Sequence, residues 1–357
     1  MLQLSNMNNA MNRTSLPVEV LELICKQLPE SSLPAVILSS RFLHSIALHI
    51  LYRDLQPRVP ASMIQLLKVL ASPPTHLDFP TPSAFVRSLN LDLTRHKLTS
   101  NFLRLLNRAL RTLKSLNSLN LEFSIHENYH PISWCLDKVP FQLTFFSTSL
   151  LCDGVLSNFL ETQPLIHELC LRGFQAGSPN TIFSLSPTAL PRLVTFRAVH
   201  AGVSILKDVI RGRPVEQVSL SLFSEEGFLP LDALQLSLKA IKRLTIMSLD
   251  YAPPNVLLPE IASRLPDLEA LHIVVLMASV DHITLLESAP LLTVFSHLKY
   301  LTFMASTLSS TSTLMSPVFI NDLDIAKKWS KACPTLQTII LPKGKVWFKR
   351  DNNWTCT

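Results

Sequence analysis

Hydrophobic residues recur along most of the chain in short alternating groups of the form xxLxLxx. Two clear copies are Ser88-Leu89-Asn90-Leu91 and Ser118-Leu119-Asn120-Leu121. Alternation with a period of two is typical of a strand that buries one of its faces. The first apolar positions of ten such groups are residues 89, 119, 143, 169, 196, 218, 244, 271, 301 and 339. Most intervals are near the roughly 20–29 residues of leucine-rich repeats, so the spacing favours repeating units over chance periodicity.

Helical patterns separate these groups, and several end just before a proline, which disfavours helix in the residue preceding it. The clearest are Leu98–Leu113, Val155–Glu161, Ser204–Gly212, Val256–Leu265 and Asn321–Ala332. One strand and one helix cannot bury their apolar faces alone, whereas a stack of such units buries a continuous core. We therefore predict an α/β fold, a leucine-rich-repeat solenoid over residues 84–345, with parallel strands on its concave face and helices on its convex face.

Residues 16–55 have a different pattern, which predicts two or three short helices. Pro17 suits a first helical position, and Pro29 ends that helix. Ser32 can cap a second helix, with Pro34 just inside it, and Ala47–Leu55 is a third apolar stretch. Such a small unit is near the size limit for an independent core, so we expect it to lean on a neighbour.

The remaining segments are predicted to be peripheral. Residues 1–15 are polar and are expected to form a disordered leader. Residues 56–83 are expected to be a proline-rich connector with one helix, Ser62–Leu70, and residues 346–357 a solvated C-terminal tail that includes most of the densest basic stretch.

Composition narrows the possible functions. The chain has 357 residues, of which 47% are hydrophobic and 16% charged, which excludes a wholly disordered chain. The net charge of +6 is mild for this length, so no nucleic-acid partner is expected. The six cysteines form no CxxC pair, and no signal peptide or transmembrane run is evident. We therefore expect buried free thiols, no cofactor or metal, no membrane partner, and a cytoplasmic or nuclear location.

Residues 16–55 resemble an F-box. The resemblance rests on Leu16-Pro17-Val18-Glu19 with the apolar residues that follow it, on Ser39-Ser40-Arg41-Phe42, and on the closing Leu51-Tyr52-Arg53-Asp54-Leu55. The link between the first two helices is shorter than in that family and is framed by two prolines. The C-terminal run 333–342 and the following Trp347 resemble the end of the F-box/leucine-rich-repeat proteins of fungi.

The resemblance implies a non-catalytic role. F-box proteins bind a Skp-type adaptor, which joins them to a cullin and a RING protein in an SCF ubiquitin ligase, and their repeat domain captures the substrate protein. The adaptor contacts implied by matching the motif are Leu16, Pro17, Val20, Leu21, Ile24, Leu28, Leu33 and Ile37. The alternatives are that half of these residues form the unit's own core, and that the protein is an interaction scaffold that does not engage in ubiquitination.

Side chains that alternate with the buried leucines are expected to face the concave surface. The candidate substrate contacts are Asp92, Glu122, Arg172, Arg197, Arg243, Thr245, Met247, His272 and Met304. Arginine forks suit carboxylates and phosphates, so Arg172, Arg197 and Arg243 suggest an acidic or phosphorylated target segment. The alternative is an ordinary mixed, solvated face.

One motif points to a different class of protein. His126-Glu127-Asn128-Tyr129-His130 has the HExxH spacing of zinc peptidases, where both histidines share one helical face. Here a predicted strand ends just before it, Pro131 disfavours helix at His130, and no third ligand follows. We interpret the motif as a polar loop and expect no enzyme activity.

Overall fold

The computed structural model describes residues 16–73, 81–124, 132–174, 182–248, 253–276, 280, 282–305, 322–342, 344–351 and 353–356. The predicted leader 1–15 and the HExxH segment 126–130 lie outside these residues. In the described part of the chain no helix has the length and apolar character needed to cross a bilayer.

The described residues form helices and strands that mostly alternate along the chain. The helices are α1 Val18–Gln27, α2 Leu33–Ser39, α3 Arg41–Arg53, α4 Pro60–Ala71, α5 Ser100–Leu110, α6 Gly154–Glu161, α7 Val203–Ile210, α8 Leu229–Leu234, α9 Pro254–Arg264, α10 His282–Glu287 and α11 Asp322–Ala332. The strands are β1 Asp54–Leu55, β2 Ser88–Leu93, β3 Ser118–Phe123, β4 Phe145–Thr148, β5 Glu168–Leu171, β6 Thr195–Ala198, β7 Gln217–Leu222, β8 Arg243–Ser248, β9 Ala270–Val275, β10 Tyr300–Ala305, β11 Thr338–Ile340, β12 Val346–Arg350 and β13 Asn353–Cys356. The α/β class predicted from the sequence is confirmed.

The strands form a single 13-stranded sheet whose order is the chain order. Strands β1 to β11 run parallel, and β12 and β13 add an antiparallel hairpin at the end. The register aligns equivalent leucines, since Leu89 pairs with Leu119 and Leu119 with Phe146. Side chains at equivalent positions of neighbouring strands therefore form continuous rows across the sheet.

One face of the sheet is buried against the helices. The first and third residues of each xxLxLxx core, such as Leu89 and Leu91, are almost fully buried and share one core with helical residues such as Leu106 and Leu156. Full burial of a leucine side chain stabilises by about 1.5–3 kcal/mol. We call strands β1–β13 with helices α4–α11 the sheet body, and the face of β2–β10 turned away from this core the open face.

The predicted register is wrong at one strand. Leu143 was expected to begin the third repeat, but β4 begins two residues later, and Phe146 occupies the position equivalent to Leu119. Leu143 is buried three residues before that position, as Leu116 is before Leu119. The preceding irregular segment is held by the buried Gln163, whose Oε1 accepts from Leu143 N at 2.9 Å. Ser147 is therefore the residue of the open face that pairs with Asn120, and Phe146 belongs to the core.

Two segments predicted to be peripheral belong to the sheet body. Helix α4, expected to lie in a connector, buries Met63, Leu67 and Leu70 in the common core. The expected solvated tail instead contains β12 and β13, and Trp347 is 8% exposed. The burial of α4 fits the spacing of Met63, Leu67 and Leu70, because residues at i, i+4 and i+7 share one helical face.

Helices α1–α3, which we call the N-terminal helical unit, have a separate small core. It consists of Cys25, Leu33, Ile46 and Ala47, with half-buried residues around them. The second and third helices divide at Ser40 rather than near Ala47, because the Ser40 side chain caps α3 by accepting from Leu43 N at 3.1 Å. The unit joins the sheet body through β1, which pairs with β2.

Three further contacts support the expectation that this unit leans on a neighbour. The rings of His49 and Phe85 are 5.5 Å apart, and Arg87 N donates to Arg53 O at 2.8 Å. Tyr52 packs against the core of the sheet body.

Candidate functional site

Helix α1 carries two apolar stripes. Leu21 and Cys25 follow the i, i+4 spacing and face the unit's own core, and Leu28, just after the helix, packs against the same core. Val20, Leu23 and Ile24 form a second stripe that is exposed. A helix of a globular protein usually has one apolar stripe facing the core, so the second stripe is surface available to a partner.

The exposed apolar surface extends beyond α1. Leu38 in α2 is 86% exposed and Leu23 is 60% exposed, while Phe42 at the start of α3 and Leu16 and Val18 are also exposed. An exposed leucine by itself is ordinary. This surface differs from an ordinary one because several exposed apolar residues lie together on a unit that has only four buried residues.

The structure separates the eight predicted adaptor contacts into three groups. Leu16, Pro17, Val20 and Ile24 are exposed, as a contact surface requires. Leu21, Leu28 and Ile37 are half-buried and pack against the small core.

Leu33 differs from the prediction of an adaptor contact, because it is 2% exposed and buried in that core. It stabilises the unit and offers no surface to a partner. Val18, Leu23, Leu38 and Phe42 are exposed apolar residues of the unit that were not among the predicted contacts, although the second stripe of α1 is visible in the helical periodicity of the sequence.

The open face holds all nine predicted substrate contacts, on the strands or just after one. Met247 and Met304 flank Val274 in one row, since Val274 pairs with both. Of the other predicted contacts, all but Arg172 line one of two cavities. These cavities differ in charge.

The first cavity lies at the N-terminal end of the open face and has a volume of about 490 Å³. Its lining consists of Gln56, Pro57, Arg58, Asn90, Asp92, Arg95, His96, Asn120 and Glu122. Arg172 forms an ion pair with Glu122, and Asn120 Nδ2 donates to Asn90 Oδ1 at 2.9 Å. The side chain and backbone N–H of Thr94 lower the pKa of Asp92. This cavity therefore combines anionic and cationic groups.

The second cavity lies in the middle of the open face and has a volume of about 340 Å³. Its lining consists of Thr195, Arg197, Gln217, Val218, Ser219, Arg243, Thr245 and His272. No carboxylate is among these residues. His272 Nδ1 lies 2.8 Å from Thr302 Oγ1, and burial, together with the charge of Arg243, lowers the pKa of His272.

The described part of the chain was expected to hold free thiols and no metal site. No group of three or more His, Cys, Asp or Glu side chains there could hold a metal ion. Five of the six cysteines are buried free thiols, as expected, while Cys356 is exposed. Burial raises the pKa of Cys135 and of Cys152 to about 12, so neither is a reactive thiolate near neutral pH.

No family model matches the sequence, and no curated protein matches it.

Proposed function

We propose that this chain is a non-catalytic substrate receptor of an SCF-type ubiquitin ligase. In this proposal the N-terminal helical unit is an F-box that binds a Skp-type adaptor, and through it a cullin and a RING protein. The sheet body is a leucine-rich-repeat solenoid whose open face binds the target protein. The protein raises the effective concentration of the target near the ubiquitin-charged enzyme and performs no chemistry itself. A cytoplasmic or nuclear location fits this role.

The observation that carries the proposal is the exposed apolar surface of α1–α3. Leu23, Ile24 and Leu38 remain exposed although the unit has only four buried core residues. Burying apolar surface against a partner stabilises by about 25 cal/mol per Å². A partner helix or groove would supply the burial that this small unit cannot provide for itself.

A second candidate is a protein-interaction scaffold that does not recruit an adaptor. The burial of Leu33 and the partial burial of Leu21 and Leu28 favour it, because they reduce the exposed part of the matched motif. Both functions use the open face, so adaptor binding separates them.

The test is co-purification of the tagged full chain with a Skp-type adaptor. We expect the wild-type chain to capture the adaptor. The double variants Leu16→Ala with Pro17→Ala and Leu23→Ser with Ile24→Ser should lose the capture while keeping the wild-type unfolding midpoint.

The matched control is Leu238→Ser, which removes a leucine that is 71% exposed on the sheet body. This control should capture normally. Failure of the folded wild-type chain to capture any adaptor, with an intact unfolding transition, would support the scaffold instead.

A further inference from the structure

The second cavity of the open face has an unusual balance of donors and acceptors. Two guanidinium groups, three hydroxyls, an amide and an imidazole line it, whereas carboxylates line the first cavity. Arginine offers only hydrogen-bond donors and stays charged at all ordinary pH values. The lining is therefore suited to a ligand that carries negative charge and several acceptor oxygens.

The strand register fixes where the two arginines lie. Arg197 on β6 pairs with Ser219 on β7, and Arg243 on β8 pairs with Gln217 on β7. The two arginines thus occupy opposite corners of a patch three strands wide, separated by two strand spacings of about 4.8 Å each. Ser219 and Gln217 lie between them, and both side chains can donate to an oxygen held there.

Neighbouring residues leave most of this donor capacity free. Arg197 Nη2 forms an ion pair with Glu168 Oε1 at 2.8 Å, which engages one edge of a group that has five N–H donors. Arg243 is exposed on the open face. Arg172, in contrast, is engaged by Glu122 at the edge of the first cavity. Arg172 is also absent from the lining of the second cavity, so only two of the three arginines suggested by the sequence belong to this site.

We propose that the cavity between Arg197 and Arg243 binds an oxyanion-bearing side chain, a phosphorylated residue or a carboxylate, of a peptide segment laid across the open face. Planar guanidinium forks bind both groups in bidentate geometry. Ser219, Thr245 and Gln217 complete the oxygen shell. The identification of this segment as part of a captured protein rests on the proposed function, whereas the anion site itself does not require the N-terminal helical unit.

The test uses three fluorescent peptides of equal length in a Gly-Ser background, with two phosphoserines, two glutamates or no charge. Fluorescence anisotropy measures their binding to the full chain at low and at high salt. We expect one or both acidic peptides to bind in preference to the neutral one and to weaken with salt, because exposed charges are screened. A preference for the phosphoserine peptide would assign the site to phosphate, and equal binding would show that carboxylates suffice.

The variants Arg197→Gln and Arg243→Gln should each weaken the acidic peptide by about tenfold, the loss of one charge-assisted hydrogen-bonded pair. The control is Arg104→Gln, since Arg104 is exposed on α5 in the helix layer and is remote from the open face. All three variants should unfold as the wild type does. Absence of acidic-peptide binding, or binding that neither cavity variant weakens, would overturn the proposal.

Adaptor capture measured on the same preparations keeps the two proposals apart. Peptide binding without adaptor capture would leave the anion site standing and remove the ligase role. Adaptor capture without peptide binding would support the ligase role and remove the anion site.

Discussion

The N-terminal helical unit and the sheet body bury their apolar residues to very different extents. The unit has four buried core residues, Cys25, Leu33, Ile46 and Ala47, and leaves Leu23 and Leu38 exposed. The sheet body has one continuous core that runs from Met63 to Trp347. The difference indicates that the sheet body supports itself, whereas the unit depends on what it contacts.

The two regions also differ in whether their cores contain buried, hydrogen-bonded polar side chains. In the sheet body Arg213 is 1% exposed, and its guanidinium donates to backbone carbonyls that include Ser186 O and Ala189 O, each at 2.7 Å. Buried polar groups that are fully hydrogen-bonded rigidify a core. None of the four core residues of the unit has a charged or amide side chain. Its packing is therefore less specific and should open more easily.

Cysteine labelling gives the largest expected contrast between the two regions. Cys25 lies in the small core, while Cys135 and Cys152 lie in the core of the sheet body. With iodoacetamide at pH 8, Cys25 should be alkylated about a thousandfold faster than Cys135 and Cys152. That ratio corresponds to about 4 kcal/mol in the free energy of opening.

The protonation state of the two body thiols adds to their protection. Their pKa of about 12 lies above pH 8, so they stay protonated and unreactive until the core opens. Mass spectrometry of the peptides measures each rate. Exposed Cys356 serves as the internal fast control. Equal rates for Cys25 and Cys152 would contradict the comparison.

Close packing in the sheet body predicts the next effect. A Cβ added at Gly173 would lie 1.7 Å from Leu150 O, so either the backbone or the neighbouring segment must shift. Gly173→Ala should lower the free energy of unfolding by about 3 kcal/mol, at the upper end of overpacking effects. Urea denaturation measures the change.

The control for this substitution is Gly154→Ala at the start of α6. There the nearest atom to an added Cβ is 3.6 Å away, which is an ordinary contact. Its unfolding midpoint should match or exceed the wild type, because alanine is the better helix former. Similar losses in both variants would show that the close approach at Gly173 is relieved without cost.

Removal of a buried hydrogen-bonding group should have a somewhat smaller effect. Arg213→Met removes the side-chain donor to the buried Ala189 O and one of the two donors to Ser186 O, which costs about 2 kcal/mol. The control is Arg211→Met, which removes an exposed arginine two residues away. A loss in urea denaturation that is the same for both positions would contradict a structural role for the Arg213 network.

The sequence was sufficient for the rows of β2, β3, β7 and β8, because buried residues alternate with more exposed ones along each of these strands. The prediction failed at β4. There Leu143, Phe146 and Thr148 occupy the three leucine positions of a Leu-x-x-Leu-x-Leu pattern, and Leu143, which precedes the strand, was assigned to it. Buried Thr148 stands where other strands have an apolar residue. Without that apolar marker the register could not be read from the sequence.

Long-range contacts explain the remaining differences. The burial of α4 and of Trp347 depends on the strands at the two ends of the sheet, which the local pattern does not place. The direction in which Leu33 points depends on how α2 packs against α3. The charge balance of the two cavities depends on the register between strands. The register of β6, β7 and β8 places Arg197 and Arg243 in the same cavity.

The smallest expected effect on stability is also the most informative about the helical unit. Leu38 is 86% exposed, so Leu38→Ser should change the free energy of unfolding by less than about 0.5 kcal/mol. The matched substitution in the small core, Ile46→Ala, should cost about 2–3 kcal/mol in the opening of the unit and accelerate the labelling of Cys25.

If the exposed surface of the unit is a binding surface, adding a Skp-type adaptor should slow the labelling of Cys25 in the wild type, because binding stabilises only the folded unit. The same adaptor should protect Cys25 less in Leu38→Ser, although its unfolding is unchanged. A variant that kept full protection would place Leu38 outside the contact and confine the binding surface to the second stripe of α1.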